Sequence, residues 1–317
     1  MPKKQYQFPP WTIETPNIIS KLMSEGKNTH PAVLESLYSE ISHSYPNHQQ
    51  IFTDASKSEE GTGCAICTPE DKHLFKLPDI FSIFSGEAYA ILQALIYVEK
   101  SKYDKFIIFS DSKSVILAIQ DLATKNPIIQ NIIEMNVKLK DLKKDVWISW
   151  IPAHIGIKGN EEADSAAKLA CCNNTSTTSD KPVVSKDLQN FLVKAITEAW
   201  NEEWKNSRFT KLHEIQNSTN DYNPALALSR RDQTVLTRTR IGHTNWSHSH
   251  LLYKSEPELC ENCGISNSIK HILTVCPKYS SQRSQHKLPN SLGMLQEIES
   301  ARKVLSFLKD IGLYHVI

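Results

Sequence analysis

Four carboxylates sit where an apolar chain would ordinarily exclude charge. Asp54 lies inside the strand-like run QQIFTDAS, and Asp111 closes the apolar run KFIIFSD. Glu87 falls in the first turn of the helical stretch SGEAYAILQALIYVEK, and Asp164 in the early turns of the Ala-rich stretch GNEEADSAAKLA. An acid at the end of a buried run is costly unless it is solvated or binds a cation. Two carboxylates about 4 Å apart repel by roughly 4 kcal/mol at an effective dielectric near 20, so convergence of all four requires bound cations. Oxygen-only ligands favour Mg²⁺ or Mn²⁺, and two such ions held about 3.5–4 Å apart can activate a water and stabilise the leaving oxygen of a phosphodiester. His154, on the Gly-flanked loop of WIPAHIGIKG, suits a proton shuttle beside them. Each residue alone has an ordinary reading: a strand Asp as a turn or cap residue, Glu87 as a favourable charge at a helix start, Glu161 and Glu162 as a solvated face.

A second constellation lies far downstream. Cys260, Cys263, His271 and Cys276 are spaced C-x2-C-x7-H-x4-C in CENCGISNSIKHILTVC. Paired thiolates on a tight turn with a His and a Cys further on are what one tetrahedral Zn²⁺ needs, against the alternative of reduced core cysteines. Cys64 and Cys67 share the C-x2-C spacing but sit in a strand, where residues three apart face opposite sides, so they read as packing residues. Cys171 and Cys172 read as structural. Arg230, Arg231, Arg238 and Arg240 stand beside Trp246 and several histidines, a composition that suits a nucleic-acid surface or an ordinary solvated helix face.

The elements that must position these groups follow from the periodicity. Three short strands, QQIFTDAS, GTGCAICTP and DKHLFKLP, read as an antiparallel meander punctuated by Gly61 and Gly63. A helix with Ser85 as N-cap follows, then the strand KFIIFSD, a helix capped by Ser112, another after Pro127, the strand VWISWIP and a last helix. The order β-β-β-α-β-α-α-β-α predicts an α/β fold, a mixed five-stranded sheet with helices on its faces. Residues 1–47 read as a leader with a short helical pattern, and 48–172 as the sheet domain. Residues 173–229 read as a Ser/Thr-rich linker with an amphipathic helix, and 230–317 as a basic, mainly helical Cys/His segment.

Charge is split between these parts: residues 48–172 hold 14 Lys+Arg against 17 Asp+Glu, and residues 173–317 hold 18 against 14, so the basic half is the natural place for nucleic-acid affinity. The 7 cysteines without a secretory h-region indicate a reducing, intracellular location, nuclear or cytoplasmic rather than secreted. No run approaches the roughly eighteen uninterrupted apolar residues of a membrane span, which excludes a helical membrane protein.

IFTDAS, SGEAYAIL, IIFSDSKSV and WIPAHIGIKGNEEADSAAKLA, in that order, resemble the four signature blocks of ribonuclease H over residues 48–172. The resemblance implies a ribonuclease H-like fold and metal-dependent endonucleolytic cleavage of the RNA strand of an RNA–DNA hybrid. It further implies that Asp54 bridges both Mg²⁺ ions and that Asp164 completes the site of the ion activating the attacking water. Glu87 and Asp111 hold the other ion, and His154 is the loop histidine. The stretch from Arg230 to Arg283, with PPWTI near the start, resembles the tail of jockey-type non-LTR retrotransposon polyproteins. That resemblance implies a detached C-terminal part of such an element, without its polymerase, and other retroelement proteins as partners. The alternative is a catalytically inactive nucleic-acid-binding module of the same origin. Residues 127–144 give one helix ending in KLKDLKK, without an extended basic handle, which shifts substrate affinity to the C-terminal segment.

Overall fold

A computed structural model describes residues 11, 13–25, 29–172, 183–207, 211–216, 218–219 and 227–317. The chain divides into two compact units, Met1–Leu192 and Val193–Ile317.

In the first unit the strands are β1 (Asn17–Ile19), β2 (Gln49–Ser58), β3 (Gly61–Cys67), β4 (Lys72–Leu77), β5 (Lys105–Ser110) and β6 (Asp145–Trp150). The helices are α1 (Pro31–Ser44), α2 (Ile83–Lys100), α3 (Lys113–Ile119), α4 (Pro127–Asp141) and α5 (Lys158–Cys172). The sheet order is β1-β6-β5-β2-β3-β4, with β2-β3-β4 antiparallel and β1, β6, β5 and β2 parallel to their neighbours. The expected meander and element order are present, and the expected five strands become six. The extra strand is β1, only 3 residues long and too short to show a period, which pairs with the edge of β6.

Strand side chains alternate between two apolar layers, as the period of two requires. Ile51, Cys64, Ile66, Phe106 and Ile108 enter the layer that also holds Ile91 and Leu95 of α2 and Ile129 and Ile133 of α4. Phe52, Ala65, Cys67, Ile107 and Phe109 enter the other, with Leu34 and Ile41 of α1 and Ala163 and Ala167 of α5. Covering both faces is what allows β3 to be buried at every position. Leu22, Leu34 and Ile41 of the leader are buried in this layer. Cys64 and Cys67 fall in opposite layers, each as packing.

The helix caps differ in two places from the sequence reading: Ser112 stands at the N-cap position of α3 without a side-chain capping hydrogen bond, and the cap of α2 is shifted. Ser82, not Ser85, caps α2, accepting from the Ser85 backbone N–H, so Glu87 sits in the second turn rather than the first. Two serines three apart compete for the same role, and the turn after β4 selects the earlier one. Asn126 caps α4, with Pro127 at the first helical position.

Helix α6 (Ser185–Asn206) spans the division between the units, and its apolar residues Phe191, Leu192, Ile196 and Trp200 remain exposed. The second unit is helical: α7 (Arg230–Ile241), α8 (Asn245–Tyr253), α9 (Ile269–Thr274), α10 (Ser280–Gln285) and α11 (Ile298–Asp310). Val235 and Leu236 of α7, Ile272 and Leu273 of α9, and Val304 and Leu308 of α11 close its core. Gly242, at φ 76, ends α7 in the left-handed conformation.

Candidate active site

The register of β2 and β5 builds the centre of the site. Thr53 pairs with Ser110, so Asp54 and Asp111 follow on adjacent parallel chains, Asp54 still in its strand and Asp111 one residue beyond. Trp150 at the end of β6 donates its indole N–H to the Asp111 carbonyl at 2.9 Å, which fixes the backbone at that point. Glu87 arrives from α2. Gly86 permits this: a Cβ there would lie 2.9 Å from the Ala55 Cβ, so only glycine lets the helix press on β2. The Glu87 Oε1 then accepts the Ala55 backbone N–H at 2.9 Å.

One carboxylate oxygen from each of Asp54, Glu87 and Asp111 lies within 4.8 Å of the others. Asp54 and Glu87 are each 6% exposed, and the Glu87 Oε2 is buried without a hydrogen-bond partner. Burial, then the charges of Asp111 and Asp164, push the Asp54 carboxyl up to about 7. Burial and the charges of Asp54 and Asp111 hold Glu87 well above the ordinary range. Asp111 is also raised by burial, opposed by a hydrogen bond from the Asn160 side chain and by the charge of His154. Three acids that resist ionising together, with an orphaned oxygen among them, fit a hard divalent cation as the missing partner.

The fourth expected carboxylate stands in a neighbouring group. Asp164, in the second turn of α5, shares a 4.8 Å cluster with His154 and Glu161, and its Oδ2 accepts Lys168 Nζ at 2.7 Å. His154 is exposed in a turn with φ 56, ahead of Gly156 at φ 86. Glu161, expected on a solvated face, thus joins the histidine and Asp164. Asn160 was not a candidate by sequence: an Asn in the first turn of a polar helix looks like any solvated residue, and only the reach to Asp111 distinguishes it.

The Cys/His set also converges. Ligand atoms of Cys260, Cys263, His271 and Cys276 lie within 4.8 Å of one another, with Cys260 and Cys276 Sγ 3.7 Å apart. The Cys263 and Gly264 N–H groups both point to the Cys260 carbonyl, closing a tight turn. His271 is 5% exposed, and neither ring nitrogen has a hydrogen bond of proper geometry. Its imidazole lies instead against Cys260, and that contact first of all lowers the thiol to about 6.

Of the four arginines, Arg230, Arg231 and Arg238 are exposed on α7 and Arg240 is buried. Arg240 is 7% exposed and donates to the Gln216 side chain at 2.8 Å. Arg231 donates to the carbonyls of Tyr314 and His315, and Arg238 to that of Ile317. Arg230 is exposed at the start of α7. The structure therefore gives three of the four a role inside their own unit.

Residues 46–172, two residues longer at the start than the range marked by the sequence blocks, match the family model described as RNase H, and the chain carries an RNase H domain there.

Proposed function

We propose that this domain cuts the RNA strand of RNA–DNA hybrids endonucleolytically, with two divalent ions, leaving 3′-hydroxyl and 5′-phosphate ends. An RNase H domain implies a hybrid ligand and supports hybrid nuclease function in general. The observation that carries the finer reading is the convergence of Asp54, Glu87 and Asp111, one carboxylate oxygen from each within 4.8 Å of the others. Asp54, Glu87 and Asp111 would hold one Mg²⁺ or Mn²⁺, and Asp54 with Asp164 the other. Bound there, the ions supply an activated water and charge stabilisation at the leaving oxygen. The chain's own contribution is to hold the carboxylates in place: β2, β5 and α2 fix three of them in the core, and α5 brings the fourth. His154, exposed in a left-handed turn beside Asp164, would take up and release a proton at its ring. Contacts to 2′-hydroxyls across the minor groove would select the RNA strand.

The Cys260, Cys263, His271 and Cys276 set is proposed as a structural zinc site, supported by its closed turn and by the buried imidazole set among the three thiols. An RNase H domain followed by such a segment supports a jockey-type non-LTR retroelement origin, with other retroelement proteins as partners and an intracellular location.

The test is incubation of the full chain with a labelled RNA–DNA hybrid, with and without Mg²⁺. Metal-dependent cutting of the RNA strand alone is expected. Binding without cleavage in both Mg²⁺ and Mn²⁺ would establish the inactive binding module instead.

A further inference from the structure

The two halves of the site differ in what balances their charge. Asp54, Glu87 and Asp111 converge on one another, and among the described residues no lysine or arginine is ion-paired to any of them. Asp164 has a cation of its own. Its Oδ2 accepts Lys168 Nζ at 2.7 Å, and the same aspartate shares a 4.8 Å cluster with His154 and Glu161. Lys168 follows Asp164 by four residues in α5, so the acid stands one turn N-terminal to the base, the favourable order on a helix. The Lys168 side chain is 61% exposed and that of Asp164 is 21% exposed. The ammonium therefore reaches the carboxylate from the solvent side, on a stem whose rotation moves no backbone.

An exposed ion pair within one helix is a weak contact, because water and salt compete for both partners. A divalent cation carries twice the charge and takes carboxylate oxygens directly, so it can displace an ammonium held this lightly. Whichever oxygen of Asp164 takes the ion, an ammonium 2.7 Å from Oδ2 repels it, and the lysine has to swing out before the ion is fully held. We propose that Lys168 is a resident cation of the divalent-ion site: it neutralises Asp164 until the second ion arrives and must be displaced for that ion to bind. The site then fills in order, first at Asp54, Glu87 and Asp111, where no side-chain cation competes, and afterwards at Asp164. This rests on the metal-dependent nuclease reading above and adds to it a positioning residue that sets the affinity of the second ion.

The experiment measures Mn²⁺ binding to the full chain by titration calorimetry, without hybrid, for wild type, Lys168→Met, Lys168→Arg and Lys158→Met. Melting curves in chelator report whether each variant folds. Methionine keeps most of the stem and removes the charge, and arginine keeps the charge. Lys158 is 92% exposed on the same helix, with its Nζ 4.0 Å from Glu162, so its loss reports the general effect of taking one positive charge from α5. Wild type is expected to bind in two steps. Lys168→Met should tighten the weaker step at least threefold and leave the stronger step within twofold, and the Mg²⁺ midpoint for hybrid cleavage should fall by a similar factor. Lys168→Arg should bind no tighter than wild type, and Lys158→Met should leave both steps within twofold. A lysine that only braces α5 would lower the melting temperature when removed and loosen ion binding rather than tighten it. A weaker step in Lys168→Met that stays within twofold or weakens would overturn the proposal. So would equal tightening in Lys158→Met, or the lack of a second step in both wild type and Lys168→Met. Absence of both ion binding and cleavage in wild type would refute the nuclease reading and this proposal with it, whereas normal cleavage with wild-type ion affinities in every variant would refute this proposal alone.

Discussion

Asp54 is held by its neighbours in a state that opposes folding at neutral pH. Its folded pKa, about 7, lies above the unfolded value of 3.8, so the folded protein binds the extra proton between those limits. The contribution to stability is fully present below about pH 3.8 and is lost as pH rises through about 7. In chelator, the wild-type melting temperature should therefore fall from pH 4 to pH 7 more steeply than that of Asp54→Asn, which removes the charge and nearly keeps the shape. At pH 7 the variant should melt on the order of 3 °C higher, the shift expected from about 1 kcal/mol in a domain of this size. The same substitution should abolish Mg²⁺-dependent cleavage. Retention of more than about a tenth of the wild-type rate, under about 1.4 kcal/mol of transition-state stabilisation, would contradict Asp54 as the bridging ligand. His154→Ala should lower turnover at least tenfold and leave hybrid binding within twofold, the pattern of a proton shuttle; equal losses in both would make it a substrate contact.

At the scale of elements, the site depends on how closely helices approach the sheet. Gly63 of β3 faces α5, and a Cβ there would lie 2.7 Å from the Ala170 carbonyl carbon and the Cys171 nitrogen. Helix backbone cannot yield as a side-chain tip can, so α5 must lift from the sheet. Gly63→Ala is expected to cost about 1–3 kcal/mol by overpacking, read as a lower melting temperature in denaturant or heat. Because α5 also carries Asp164, cleavage should fall under conditions where the variant is still folded. A variant with wild-type melting and wild-type activity would mean that α5 yields to the added methyl at no cost.

For the whole molecule, the two proposed kinds of metal site fall in different compact units. The full chain should contain close to one zinc, and Cys263→Ser should remove it while Cys67→Ser should not. A zinc-specific chelator should shift one calorimetric transition and leave the RNase H domain's own transition in place, since zinc supplies most of the folding free energy of small Cys/His modules. Zinc surviving in Cys263→Ser, or none in wild type, would make these residues packing groups. The arginines divide by their surroundings. Arg230→Ala should weaken hybrid binding and reduce the salt slope by about one, as loss of one phosphate contact does. Arg240→Ala should instead lower stability, because its guanidinium is buried against Gln216; a pure affinity loss there would show that the buried arginine reaches nucleic acid.

The sequence by itself determined the strands and helices whose pattern is local. Turn-punctuated strand-like runs mark β2 and β3, a continuous apolar run marks β5, Pro127 opens α4, and acids interrupt apolar runs at Asp54 and Asp111 because burial of charge is too costly to be incidental. That ground marks Asp54 and Asp111; Glu87 and Asp164 join them through the resemblance to ribonuclease H, and the thiols and His271 are grouped by spacing. Tertiary structure decided what local pattern leaves open. β1 is 3 residues long and exists only because β6 offers an unpaired edge, Asn17 pairing with Trp147 and Ile18 with Ile148, partners 130 residues apart along the chain. Asn160 and Glu161 look like polar helix residues until α5 is packed on the sheet, which turns one toward Asp111 and the other toward His154. Arg240 looks like part of a basic surface until α7 buries it. Residue type fixes what a group can do chemically; whether it meets solvent, a carboxylate or a carbonyl depends on contacts between segments far apart in the chain, which only the packed fold supplies.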